Sequence, residues 1–214
     1  MLPTAVLSEL ITAITTLYSV TATTEITVEA NPDDLTPMYL KQLNNAGVNR
    51  LSIGVQSFND SELTLMNRAH SGKQAMQSVV WAQEVFENVS IDLLFGTPHT
   101  TISDWKKNLE TALTFNLPHI SSYALTLEPK TALEHFVKKR VVSLLDEKDV
   151  EEQFLYLVDT LTANGYEHYE LSSFGKSGFH SKNNTAYWKG KPYLGIGPSA
   201  HGFDGNSRYW NVSN

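Results

Sequence analysis

The sequence predicts an α/β chain, with strands and helices alternating around a mainly parallel sheet, nearer to a complete or partial (β/α) barrel than to a dinucleotide-binding domain. Three observations carry that reading. Apolar residues alternate between strand-like and helix-like periods, with short connections throughout. No G-x-G-x-x-G segment follows any strand, which argues against a Rossmann domain. Polar residues stand at the C-terminal ends of the strand segments, where barrel enzymes gather their active sites.

The elements follow in order. Val6, Leu10, Ile14 and Leu17 recur at helical spacing after Pro3, a residue suited to a first helical turn. Glu25 to Ala30 alternates polar and apolar as a short strand and stops at Asn31-Pro32, where proline supplies no ladder donor. Leu35 to Ala46 reads as a helix closed by Gly47, and Arg50 to Val55 as the next strand. Helices are expected over about Asp60 to Asn67 and Lys73 to Phe86. A strand then spans Val89 to Phe95, ending in Gly96-Thr97-Pro98. Ser103 is the expected cap of a helix to about Phe115, followed by a strand from His119 to Leu125. Asp149 to Asn164 forms a helix closed by Gly165, and Tyr166 to Leu171 a final strand. Beyond Ser172 the chain turns to Gly, Ser, Asn and aromatic residues without a helical period. The expected organisation is therefore a partial barrel over 1–171 and an irregular or β tail over 172–214 packing onto it.

Composition narrows the function. With 214 residues, 41% hydrophobic and 18% charged, the chain suits one sizeable core. Its net charge of -7 argues against binding a nucleic-acid backbone. The absence of cysteine excludes disulfides, thiolate zinc sites, cysteine nucleophiles and self-ligated iron–sulfur clusters. The first basic residue is Lys41, so the N-terminus lacks a signal peptide's positive region, and no apolar run suits a membrane span. A cytoplasmic protein is expected. The histidines, at 70, 99, 119, 135, 168, 180 and 201, show no metal-binding spacing.

The strand-end filter selects Glu29, Asn31, Gln56, Asp92, Tyr123 and Thr126. Glu29 either caps the next helix or faces solvent, or it reaches into the mouth to hold an ammonium group. Gln56 is a structural hydrogen-bond hub or a ligand contact. Asp92, inside Ile91-Asp92-Leu93-Leu94-Phe95, is costly unless it is paired or faces a polar cavity. Arg68, taken alone, reads as a solvated surface charge.

Several segments then occur together in order: Val28-Glu29-Ala30-Asn31-Pro32, Gly47 to Phe58, Ile91 to Pro98, Tyr187-Trp188 and Tyr193 to His201. This combination resembles the radical S-adenosylmethionine (SAM) family of oxygen-independent coproporphyrinogen III oxidases, most closely its HemW-type haem chaperone branch. The resemblance implies a radical SAM barrel in which Glu29, Gln56, Arg68 and Asp92 contact SAM, with Thr126 and His201 as further contacts. It implies haem or a porphyrinogen as a further partner, with His180, Tyr187 and His201 as candidate haem contacts and a haem-accepting protein downstream.

Departures from the family pattern matter equally. The family's C-x-x-x-C-x-x-C motif, which ligates a [4Fe–4S] cluster, has no counterpart in a chain without cysteine. The resemblance places the first two strands before this sequence and a C-terminal domain after it. A fragment that is inactive alone is therefore expected. The branch motif H-N-x-x-Y-W reads Asn183-Asn184-Thr185-Ala186-Tyr187-Trp188 here, so Asn183 replaces the imidazole. Two functions follow from the resemblance: a haem carrier with a SAM-binding mouth, or an oxygen-independent coproporphyrinogen III dehydrogenase.

Overall fold

The computed structural model describes residues 2–129 and 131–213. They divide into two compact units, one running through Phe179 and the other starting at His180.

The first unit opens with helix α1 (Thr4–Leu17) and edge strand β1 (Thr27–Ala30), followed by a 3-10 turn at Pro32–Asp34 and helix α2 (Pro37–Asn45). Strand β2 (Arg50–Gln56), helices α3 (Asp60–Leu65) and α4 (Gly72–Gln83), strand β3 (Asn88–Phe95), helix α5 (Ile102–Thr114) and strand β4 (His119–Ala124) continue the alternation. Helices α6 (Ala132–Lys138) and α7 (Glu147–Ala163) lead to strands β5 (Glu167–Glu170) and β6 (Ser173–Gly175). The six strands form one open sheet in the order β1-β2-β3-β4-β6-β5. β1 to β4 run parallel, whereas β6 is antiparallel to both β4 and β5.

Sequence and structure agree on the partial barrel and differ in detail at its ends. Where one final strand was expected, two strands meet at Leu171-Ser172, a connection too short for a crossover and therefore antiparallel. β6 lies beyond residue 171 yet belongs to the sheet. Thr101, not Ser103, caps α5: its hydroxyl accepts from the Asp104 N–H, and the Asp104 carboxylate accepts from the Thr101 N–H.

Strand alternation sorts the sheet into two chemical faces. Leu51, Ile53 and Val55 of β2, Val89, Ile91, Leu93 and Phe95 of β3, Ile120 of β4 and Phe174 of β6 belong to the apolar core. Leu40 and Leu43 of α2, Val79 of α4, Trp105 and Leu109 of α5 and Leu157 and Leu161 of α7 bury themselves in the same core. The intervening strand residues, Arg50, Ser52, Ser90, Asp92, Ser121 and Tyr123, face the other way. That polar face is where a barrel keeps its mouth and lumen.

The second unit holds helix α8 (Lys182–Trp188) and a hairpin of β7 (His201–Phe203) and β8 (Arg208–Trp210). The helix arises within a segment whose sequence shows no helical period; the Ser181 hydroxyl caps it by accepting from the Asn184 N–H. Gly202 leaves room in the hairpin for the Tyr209 ring, which a Cβ there would meet at 2.1 Å and displace.

Candidate functional site

The polar face of the sheet brings the strand-end residues together. Glu29 on β1 stands in register with Ser52 on β2, and Asp92 on β3 with Ser121 on β4. The Ser52 hydroxyl donates to Asp92 Oδ1 at 3.3 Å. Burial, reinforced by the negative charge of Glu29, pushes the Asp92 carboxyl up to about 6. Hydrogen bonds from Ser121 and Ser52 and the charge of Arg50 oppose that rise. Tyr123 shares this face, its phenol raised by burial and by Asp92.

A second group forms where β1 and β2 end. Gln56 closes β2 in a left-handed conformation, φ 65°, so its side chain leaves the strand's regular alternation. The Gln56 amide lies over Gly54: a Cβ on that glycine would meet Gln56 Nε2 at 3.0 Å and Asn31 Oδ1 at 3.5 Å. Asn31 Oδ1 in turn accepts from Arg68 Nη1 at 3.3 Å. Gln56, Asn31 and Arg68 are thereby gathered above one missing side chain.

A cavity of about 330 Å³ adjoins them, lined by Arg68, Leu94, Pro98, Leu125, Thr126 and Glu128. Leu94 is the next residue after Asp92 on the same face of β3. Thr126 donates to Glu128 Oε1 at 3.4 Å. The first unit thus holds Glu29, Gln56, Arg68, Asp92 and Thr126 on one sheet face and its rim. His180, Tyr187 and His201 belong to the second unit. There His201 lines a groove of about 650 Å³ with Trp210, Asn211 and Val212, its ring 6.2 Å from that of Trp210. Tyr187 on α8 rests against Tyr193, ring centroids 4.3 Å apart.

Sequence reasoning passed over Ser52, Ser121 and Arg50. Their signal was present: small polar residues and one arginine alternate with Leu51, Ile53, Ile91 and Ile120, marking one lumen-facing set across three strands.

Beneath the rim, a buried polar network fixes the loops. Asn108 of α5 accepts from the Phe58 N–H at 2.8 Å and from the Ser57 hydroxyl at 3.1 Å, and its amide faces the Glu62 carboxylate at 3.4 Å. Thr97, directly after β3 and Gly96, donates to Glu62 at 3.5 Å. The loop carrying Gln56, the helix leading to Arg68 and the loop after β3 are anchored to one point.

Comparison with known proteins agrees with this fold. The Radical SAM superfamily matches residues 5–112, and the chain belongs to that superfamily. Its curated relatives include two bacterial proteins named heme chaperone HemW. The Bacillus subtilis protein is 41% identical over 189 residues, 88% of this chain and 50% of that protein. The Lactococcus lactis protein is 39% identical over 207 residues, 96% of this chain and 55% of that protein. Within the superfamily the chain is of the HemW type, and it spans about half the length of these relatives. The structure of coproporphyrinogen III oxidase (HemN) from Escherichia coli, a radical SAM enzyme, superposes with a TM-score of 0.81 at 23% identity. That match covers 100% of this chain and 52% of the other, and it is a likeness of fold.

The superfamily implies SAM and a [4Fe–4S] cluster. The donor set answers the two differently. Cluster iron needs soft thiolates, and a chain without cysteine offers none. Among the described residues no group of three or more His, Asp or Glu side chains could hold a metal ion. The polar sheet face and its rim, by contrast, offer carboxylates, an amide, a guanidinium and an apolar wall. No helix among the described residues is long and apolar enough to cross a membrane.

Proposed function

We propose that this chain supplies the SAM-binding mouth of a HemW-type haem carrier. The observation that carries the reading is the polar sheet face with Asp92 at its centre and the Gln56–Asn31–Arg68 group at its rim. Asp92, ionised above its raised pKa, accepts ribose hydroxyls, with the Gln56 amide beside them. Arg68 pairs with the methionine carboxylate, Glu29 with the amino group, and Thr126 adds a hydroxyl across the cavity. Gly54 lets the nucleoside approach the strand backbone. Bound SAM is the source of an adenosyl radical only where an iron–sulfur cluster reduces it, and no thiolate here ligates one.

Haem, as cargo, fits the second unit. Asn183 occupies the place of the branch motif's histidine, in the first turn of α8, and an amide does not replace imidazole on haem iron. His201 supplies that imidazole beside the apolar surfaces of Trp210 and Val212. Tyr187 and His180 are secondary contacts, and transfer of the haem to an acceptor protein completes the carrier role.

Calorimetric titration of the 214-residue chain with SAM, and Soret titration with haem, test the two halves separately. Asp92→Ala should lower SAM affinity about fivefold or more and leave the Soret change intact. His201→Ala should remove the Soret shift, and Asn183→His should strengthen it. SAM affinity unchanged in Asp92→Ala overturns the assignment of the mouth. A Soret shift that survives His201→Ala overturns that of the groove.

A further inference from the structure

On the helix side of the sheet, opposite the polar face, a cleft of about 400 Å³ opens between β4 and the first turns of α7. We infer that this cleft binds a small organic cation with an aromatic body and a hydrogen-bonding group at its far end. The inference is independent of the SAM and haem readings, because no residue assigned to either lines the cleft.

Three features define the occupant. The wall is apolar: Phe95 and Phe154 stack with ring centroids 6.0 Å apart, flanked by Val150. Leu171 at the lip is 67% exposed, a large apolar side chain left in water unless something covers it. An aromatic body fits such walls, and the volume suits a ligand at the small end of the usual range.

The floor is polar at one point. Ser122 is 2% exposed, yet its hydroxyl has no hydrogen-bond partner among the described residues. The other serines of β2, β3 and β4 are satisfied: Ser52 donates to Asp92, Ser90 bonds to His119, and Ser121 bonds to Asp92. A buried hydroxyl left unpaired is costly, and a ligand group reaching the floor removes that cost.

The rim is anionic. Glu147 and Glu151 line the cleft one helical turn apart, both exposed, and neither has an ion-pair or hydrogen-bond partner among the described residues. No basic residue lines the cleft. Like charges at this spacing repel, and a cation between them reverses the sign. The helix dipole accounts for Glu147 in the first turn of α7, but Glu151 lies beyond that turn. Two exposed carboxylates with no third donor do not make a metal site.

Tyramine is the probe, compared with phenethylamine, which lacks the far hydroxyl, and tyrosol, which lacks the charge. Binding to the 214-residue chain is followed by methyl NMR at Val150 and Leu171 and quantified by titration. Tyramine should bind about three- to tenfold more tightly than either analogue. Ser122→Ala should erase its advantage over phenethylamine. The double variant Glu147→Gln, Glu151→Gln should erase its advantage over tyrosol, and Glu151→Gln alone, which leaves the helix-dipole contact of Glu147 in place, should reduce that advantage with the unfolding temperature unchanged. Tyrosol binding as tightly as tyramine to the unsubstituted chain overturns the inference without recourse to any variant. So does the absence of shifts at Val150 and Leu171 at millimolar probe.

Discussion

Asp92 stands where the sheet's own chemistry is in tension. The residue is partly buried between Ser52 and Ser121, with Glu29 on the same face. Its folded pKa, about 6, lies above the ordinary carboxylate value, so the folded state holds a proton that the unfolded chain has already lost. The contribution is fully present below about pH 4 and is lost as pH rises from there through 6, by about 2–3 kcal/mol. Glu62, also raised by burial, adds in the same direction. Stability measured against pH should therefore fall less steeply over this window in Asp92→Asn than in the unsubstituted chain. Parallel curves for the two proteins would show that Asp92 does not titrate there. Gly54 gives a complementary test. A Cβ at that position meets the end of the flexible Gln56 side chain at 3.0 Å, with the Asn31 amide oxygen and the Ala30 carbonyl oxygen at ordinary contact distances of 3.5 and 3.8 Å. Gly54→Ala should cost less than about 1 kcal/mol of stability yet weaken SAM binding by shifting Gln56. At Gly72 the same substitution meets the Phe58 carbonyl oxygen at 2.1 Å, backbone that cannot yield cheaply. Gly72→Ala should lower stability by about 2–4 kcal/mol in a denaturant titration.

Among the elements, α5 does more than cover the sheet. Asn108 satisfies the Phe58 N–H and Ser57 hydroxyl and faces the Glu62 carboxylate, so removing its amide leaves several buried groups without partners. Asn108→Leu is expected to cost about 2–4 kcal/mol in thermal unfolding, more than Glu110→Leu at an exposed position of the same helix. In α1 the residues at helical spacing in the sequence, Val6, Leu10, Ile14 and Leu17, are exposed, from 39% at Val6 to 76% at Leu17. Leu7 and Ile11 pack against the core instead, Ile11 reaching to within 3.8 Å of where a Cβ on Gly47 would stand. Periodicity located this helix correctly but could not say which apolar stripe meets α2, because two stripes compete and only tertiary contact chooses. Ile11→Ala should therefore destabilise by about 1–2 kcal/mol and Ile14→Ala by less than about 0.5.

For the whole molecule, the sheet has an open edge. Among the described residues β1 pairs with β2 alone and presents a row of backbone groups without a strand partner, while α1 carries an exposed apolar stripe of its own. Sedimentation velocity should show concentration-dependent self-association. A dilute, cooperative, high-melting monomer at all concentrations would contradict it. Anaerobic reconstitution with iron and sulfide should leave no stoichiometric [4Fe–4S] absorbance after desalting, since the chain has no thiolate to offer.

The sequence alone determined the alternating α/β organisation, because apolar period and turn residues report local geometry directly. It also singled out Glu29, Gln56, Asp92 and Thr126, of which Glu29 and Gln56 stand at strand ends, Asp92 lies inside β3 and Thr126 lies just beyond β4. Its ordered segments identified the radical SAM superfamily, and its lack of cysteine settled what the chain cannot ligate. Tertiary structure decided the rest. The antiparallel pairing of β6 with β4, the joining of Arg68 to Asn31 across 37 positions, and the Asn108 network all depend on residues far apart in sequence. The cleft beside Ser122 arises in the same way, from where α7 comes to rest against α5, β3 and β5. Such contacts follow from how the helices settle on the sheet, and no local pattern encodes that.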